Sequence, residues 1–280
     1  MMDAAARAMA FQQLHRGSRI LVIANAWDAA SARVFEHAGM AAVGTSSAGI
    51  AYCHGYPDNE RIPREVILAA TREIVRAVKV PVTADILTGL GDTLEAVVAT
   101  VREVIAMGAV GINIEDATDE GPRLFDMARQ VEKIAAVAAA VKASGVPIVI
   151  NARTDSYWLK LGDEKERLRA SIERGNRYRE AGADCVFVPA VSSRDAIKAL
   201  VAGIACPLNV LTVPGCPPIA ELEQLGVRRV SEGSGPMRAS MMLVRRIAEE
   251  LLQHGTYTRL HSEAIPYPEA NKLFEQTYAA

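Results

Sequence analysis

Short apolar runs recur along the chain, separated by longer amphipathic stretches. The runs are RILVIA from Arg19, AAVGT from Ala41, VPVTA from Val80, VGINI from Val110, PIVINA from Pro147, DCVFVP from Asp184, PLNVLT from Pro207 and VRRVS from Val227. Each predicts a strand. Most are almost continuously apolar rather than alternating, as parallel strands covered on both faces are; the last, with Arg228 and Arg229, is weaker. Between them REVILAATREIVRAV from Arg64, LEAVVATVREVIAM from Leu94, VEKIAAVAAAVKA from Val131 and KERLRASIERGNRYREA from Lys165 put apolar residues on one helical face and charges on the other. Gly39, Gly108, Gly182 and Gly226 fall where helices should end, suited to the left-handed turn that leads into the next strand.

Eight strand–helix units without a GxGxxG turn after the first strand predict a closed (β/α)8 TIM barrel rather than an open doubly wound sheet. The length of 280 residues suits one such domain spanning 1–280. Its last part, 236–280, reads as an additional C-terminal helix from Pro236 with two apolar stripes, then a tail from Thr256. That segment either packs on the outer helices or docks on a neighbouring subunit.

Composition narrows the function. Hydrophobic residues make up 50% and charged ones 23%, enough for a packed core and a solvated surface. A net charge of −2 with scattered Lys and Arg argues against a nucleic-acid partner and for a small molecule. The N-terminal residues lack the pattern of an export signal and no apolar run reaches membrane-spanning length, so a cytoplasmic protein with no membrane partner is expected. Cys53, Cys185, Cys206 and Cys216 have no zinc-like or paired spacing and are read as reduced thiols.

Barrel chemistry sits at the C-terminal strand ends. There the chain places Asn25 and Asp28, Thr45, Ser46 and Ser47, Asp85, Glu115 and Asp116, Arg153, Thr154 and Asp155, and later Asn209, Thr212 and Glu232. Asp85 and Glu115 end successive strands, and like charges held together need a cation or proton between them. With no histidine or thiolate among them, this oxygen-rich set suits Mg²⁺, with Mn²⁺ as the alternative. Arg153 can grip a substrate carboxylate or pair with Glu115 or Asp155, and TSSAG offers hydroxyls and amides to an anionic group. Strand six carries no lysine for a Schiff base.

The motifs NAWDAASAR, GTSSAG, TADILTGLGD, GINIED and INARTD, with the late PLNVL and VRRVSEGS, resemble the isocitrate lyase and phosphoenolpyruvate mutase superfamily, most closely its phosphonomutase-like branch. The resemblance covers most of the chain. It implies a Mg²⁺-binding barrel that stabilises an oxo-acid enolate while a C–C or P–C bond is broken or made. By resemblance Asp85 and Glu115 hold the metal, and Asp58 is an acid approaching it. Arg153, Ser46, Ser47 and the amides of Ala48 and Gly49 bind the substrate, with Asn209 as a further contact. The resemblance also implies a homo-oligomer, a dimer or tetramer, with an exchanged C-terminal helix.

Two departures stand out. The second acid usual two residues beyond the metal aspartate is Leu87 here, with Asp116 as a possible substitute. The segment after Glu115, EDATDEGPRLFDMARQ, has neither a lyase's KKCGH-type lid nor a mutase's longer one; Thr118, Asp119, Glu120 and Arg123 are the nearby groups. The expected function is a Mg-dependent lyase cleaving a C–C bond in a small 2-hydroxy or 2-oxo carboxylate. Phosphoenolpyruvate mutase or phosphonopyruvate hydrolase chemistry, and a non-catalytic oxo-acid-binding barrel, are the alternatives.

Overall fold

A computed structural model describes residues 4–58, 62–118 and 121–275. The first half runs α1 Ala4–Arg16, β1 Leu21–Ala26, α2 Ala29–His37, β2 Val43–Thr45, α3 Ser47–Cys53, α4 Arg64–Ala77, β3 Val82–Asp85, α5 Leu94–Met107, β4 Gly111–Glu115 and α6 Met127–Ser144. There follow β5 Val149–Arg153, α7 Glu164–Glu180, β6 Cys185–Val188, α8 Arg194–Gly203, β7 Leu208–Leu211, α9 Ile219–Leu225, β8 Arg229–Ser231, α10 Gly235–His254, α11 Thr258–Ser262 and α12 Tyr267–Lys272.

All eight predicted runs form strands, each parallel to the next, and β8 pairs with β1 through Leu21 opposite Arg229 and Ile23 opposite Ser231. The sheet is a closed (β/α)8 barrel. Its helices start where short polar side chains can satisfy the free N–H groups of the first turn: Asp28, Thr93 and Asp163 accept from Ser31, Ala96 and Glu166. Asp28, first noticed as a polar strand-end residue, thus caps α2. At the other ends Gly108 and Gly226 take the left-handed conformation. Gly39 and Gly182 take it one residue beyond caps at Ala38 and Ala181.

The main apolar core lies between the strands and the helices outside them, with Ile67, Ile74, Val101, Ile112, Ile134 and Ile150 buried in it. A smaller cluster closes the N-terminal mouth, where Phe11 on α1 packs against Leu21, Ile23 and Val149. Gly111 is required there: a Cβ would lie 2.8 Å from both the Phe11 ring and Thr83 Oγ1. With α1 packed across its N-terminal end, the barrel presents its strand-end mouth at the C-terminal face. The C-terminal helices contrast with this packing, because no residue of α10, α11 or α12 is buried. Among the described residues no helix is long and apolar enough to cross a membrane.

Candidate active site

A cavity of ≈ 250 Å³ occupies the open C-terminal mouth, lined by residues at or just beyond the C-terminal end of every strand. A larger hollow of ≈ 790 Å³ lies outside the ring beside α4, α5 and α6, with a mixed lining that includes Arg64, Asp92, Arg129 and Glu132. Only the smaller cavity meets the strand ends, and it is the candidate site.

Asp85, the last residue of β3, is held by β2 and the start of α3. Its backbone N–H donates to Thr45 Oγ1 at 2.8 Å, while its Oδ2 accepts from Ser47 N at 3.0 Å and Ser47 Oγ at 2.7 Å. These bonds fix the carboxylate through one oxygen only. Glu115 ends β4 and pairs with Arg153 across the β4–β5 ladder, Nη1 to Oε2 at 2.7 Å. Arg153 Nε also donates to Asp155 Oδ1 at 2.7 Å. The guanidinium therefore lies between the buried Asp155 and the largely covered Glu115, and against the cost of its own burial their charges hold it fully protonated.

Negative charge exceeds positive charge in this cavity: Asp58, Asp85, Glu115, Asp155 and Glu232 face only Arg153 and Arg238 among the described residues. Burial raises Glu115 well above the ordinary carboxyl range against the pull of Arg153, and lifts Asp155 to about 6 for the same reason. Asp58 lies in the exposed rim, yet partial desolvation of its carboxyl and then the charge of Asp85 raise it too. Several carboxyls in one mouth thus gain from a positive ligand.

The donor set tests what that ligand can be. Only oxygen donors are present, which favours a hard cation over zinc. Among the described residues no three His, Cys, Asp or Glu groups stand in metal-ligating array, and the Glu115 oxygen nearest Arg153 is already engaged. This fits Mg²⁺ in one respect: it dehydrates reluctantly and binds through one or two carboxylates with water completing its shell. Asp85 could hold it directly, with Glu115 and Asp58 reached through water.

Several expected roles change. Asp116 does not replace the missing acid at Leu87. Strand side chains alternate, so when Glu115 points into the mouth Asp116 points outward. It is fully buried there, accepting from Tyr178 Oη at 2.6 Å, Arg174 Nη1 at 3.2 Å and Asp155 N at 2.9 Å. Asn209, the second residue of β7, lies below the cavity floor and bonds Ser231, whereas Leu211 reaches the cavity. Ser46, Ser47 and Ala48 line the mouth, but the segment is the start of α3 rather than an open turn: Gly49 N donates to Ser46 Oγ and Ser47 N to Asp85. The amides of Ser47 and Gly49 are therefore committed. Leu87 lines the cavity with φ 52, a left-handed conformation unusual for leucine.

Beyond Glu115, Thr118 lines the cavity with a buried hydroxyl that has no hydrogen bond, whereas Arg123 lines the larger hollow. Asp119 and Glu120 lie outside the described residues. The cysteines do not line the cavity, and burial raises the thiol pKa of all four. Sequence reading overlooked Trp158, Phe187 and Arg238. An aromatic residue five places after Arg153 was a visible signal for Trp158; nothing local distinguished Phe187 from an ordinary core residue.

The chain is 35% identical over 265 residues to an uncharacterised protein of Mycobacterium tuberculosis, covering 92% of this chain and 97% of that one. It is 29% identical over 257 residues to a 2-methylisocitrate lyase of Halalkalibacterium halodurans, covering 88% and 82%. With a 2,3-dimethylmalate lyase of Eubacterium barkeri it shares 32% identity over 225 residues, covering 77% and 75%. Among solved structures, a putative lyase/mutase from Burkholderia cenocepacia superposes with TM-score 0.91 at 36% identity, covering 97% of each chain. A phosphonopyruvate hydrolase complexed with oxalate and Mg²⁺ superposes with TM-score 0.81 at 26% identity, covering 95% and 94%. The phosphoenolpyruvate phosphomutase family matches over residues 11–252, and the chain belongs to that family, within the isocitrate lyase and phosphoenolpyruvate mutase superfamily.

Proposed function

We propose that this protein is a Mg²⁺-dependent lyase that cleaves a C–C bond in a small 2-hydroxy or 2-oxo carboxylate and releases an oxo acid. The observation that carries the reading is the cluster of Asp58, Asp85, Glu115 and Asp155 around Arg153 at the barrel mouth. Relatives that are lyases of such acids support it. Asp85, with Glu115 and Asp58 beside it, would hold a divalent ion, which would supply Lewis-acid stabilisation of the enolate charge that develops as the bond breaks. Mn²⁺ has the same preference for oxygen donors and is the alternative ion.

The chain's own residues divide the remaining work. Arg153 anchors a substrate carboxylate, and its pairs with Glu115 and Asp155 fix the direction of the fork. Ser46, Ser47 and the Ala48 amide border the place of a second polar group. In a 2-hydroxy acid the hydroxyl loses its proton, the C–C bond breaks, and its electron pair leaves with the fragment that becomes the enolate. A proton then completes that fragment, and the hydroxyl carbon becomes the oxo carbon. Asp58, which lines the cavity at its exposed rim, takes the proton exchange between substrate and solvent in this reading.

Purified protein with Mg²⁺ should release an oxo acid from at least one member of a panel of alkylmalates, isocitrates and oxaloacetate, followed with a coupled dehydrogenase. Asp85→Ala should lower metal affinity by more than ~100-fold and abolish turnover. No product from any of the panel would refute the lyase reading. Binding without turnover would indicate an oxo-acid-binding barrel, and a changed phosphorus NMR spectrum of phosphonopyruvate would indicate P–C chemistry instead.

We further propose that the chain is a homo-oligomer, a dimer or tetramer, in which residues 236–280 form an arm laid against a second copy. The exposed Met241, Met242, Val244, Leu251 and Leu252 on α10 support this.

A further inference from the structure

The mouth of the barrel is divided by chemistry as well as by strand. The arc from β2 to β5 supplies Ser47, Asp85, Glu115 and Arg153, whereas the arc from β6 to β7 supplies Phe187, Leu211, Val213 and Pro214, with the Thr212 hydroxyl as its polar side-chain group. Arg153 marks the border. Its guanidinium carbon lies 5.6 Å from the centroids of both Trp158 and Phe187, so a substrate carboxylate gripped there carries its neighbouring carbon to the edge of the apolar arc. Trp158 is 46% exposed although its large ring is apolar, while Phe187 is 4% exposed at the base of the same wall. A surface of this kind gains by being covered.

Charge points the same way. Five carboxylates face two guanidiniums in the described lining, and Arg153 already has two carboxylate partners at 2.7 Å. With a divalent cation bound, the positive charges of the described lining are still matched by its carboxyl groups. The β6–β7 arc brings no cation of its own, and Arg238, on α10, is exposed. A carboxylate pressed against Phe187 and Leu211 would lose water and gain no cation there, with only the neutral Thr212 hydroxyl beside it, a large penalty for an ion. An alkyl group there would lose nothing.

We infer that Trp158, Phe187 and Leu211 select the substrate: its carboxylate and oxygen functions face the β2–β5 arc, and its remaining substituent is a small alkyl group on the β6–β7 arc rather than another carboxylate. This rests on the oxo-acid reading above and narrows it to alkyl-substituted acids, with tricarboxylates rejected. Among the relatives, the pattern favours a dimethylmalate type of substrate over a methylisocitrate type.

The experiment is a calorimetric series on the whole protein with Mg²⁺, using oxalate as the probe of the polar arc and two 2-oxo acids of similar shape as probes of the apolar arc. 5-Methyl-2-oxohexanoate ends in an isopropyl group where 2-oxoglutarate ends in a carboxylate. The branched acid should bind at least tenfold more tightly, and Leu211→Lys should erase or invert that order. Equal or tighter binding of 2-oxoglutarate by the unaltered protein, with oxalate still bound, would overturn the assignment of the apolar arc and leave the enolate site standing. Failure of oxalate itself to bind would overturn the oxo-acid reading and this inference with it. The comparison of ligands on the unaltered protein decides the matter even where Leu211→Lys does not fold.

Discussion

His15 shows how a single side chain sets a physical property of the barrel. It sits on the last turn of α1 at the closed mouth, 5% exposed, donating from Nδ1 to the carbonyl oxygen of Phe11 at 2.9 Å. Its Nε2 has no partner, nor do Nε and Nη1 of the fully buried Arg229, which bonds Asn113 through Nη2. Burial, then the nearby Arg229 charge, lowers the His15 pKa to about 4. The unfolded chain takes up a proton near 6.5 that the folded protein refuses, so between those values stability falls as pH falls. At pH 5 the difference is about 2 kcal/mol relative to pH 7. Asp155, raised to about 6, acts oppositely, since its buried charge is relieved by protonation. The measurement must therefore compare variants: urea unfolding of His15→Gln should show a shallower loss between pH 7 and pH 5 than the parent. Parallel curves would show that His15 does not control the acid limb.

Among elements, the junction of β4, β5 and α7 organises the site from behind. Asp116 bonds Tyr178 and Arg174 on α7 and the backbone of Asp155 at the end of β5. Arg174 also donates from Nη2 to the Phe125 carbonyl at 2.9 Å, which ties the segment after β4 to the same helix. The position of Asp155, and through it Arg153, is fixed by a group that never faces the substrate. Tyr178→Phe leaves a buried carboxylate short of one donor, and a hydrogen bond to a charged acceptor is worth about 1.5–3 kcal/mol. The urea midpoint should fall accordingly. An unchanged midpoint would mean that Arg174 and the Asp155 amide suffice. The Asp116 arrangement was half visible in the sequence: neighbouring strand residues must face opposite ways, so Glu115 and Asp116 could not both enter the mouth. Which of them did so depended on the register of β4 in the closed sheet.

At the scale of the molecule, the barrel and the segment after it obey different rules. The barrel buries its apolar faces within itself, whereas α10 leaves Val244 66% exposed and Leu252 86% exposed. The chain returns to the barrel at Leu273, which is buried and accepts from Arg33 Nε at 2.6 Å. Exposed apolar area of this extent usually marks an interface. Light scattering after size exclusion should give a mass of at least two chains, and the double substitution Met242→Glu with Leu252→Glu should shift it toward one chain. A single-chain mass for the parent would remove the exchanged-arm proposal without touching the site, because the described lining, Arg238 of α10 included, comes from one chain.

The sequence by itself determined the alternation of strand and helix, the eightfold count, and the set of polar residues at the strand ends. These are local properties, carried by hydrophobic periodicity and by capping residues such as Asp163, and they hold wherever the segment lies. The resemblance of the strand-end motifs reached further and indicated the family. Tertiary structure decided depth and partnership: Asn209 lies below the floor, Ser47 engages Asp85, Arg153 divides its fork between Glu115 and Asp155, and Phe187 stands beside the same guanidinium. The reason is closure of the ring. Pairing β8 with β1 joins residues about 200 positions apart and sets the height of every strand against its neighbours, information that no local pattern contains.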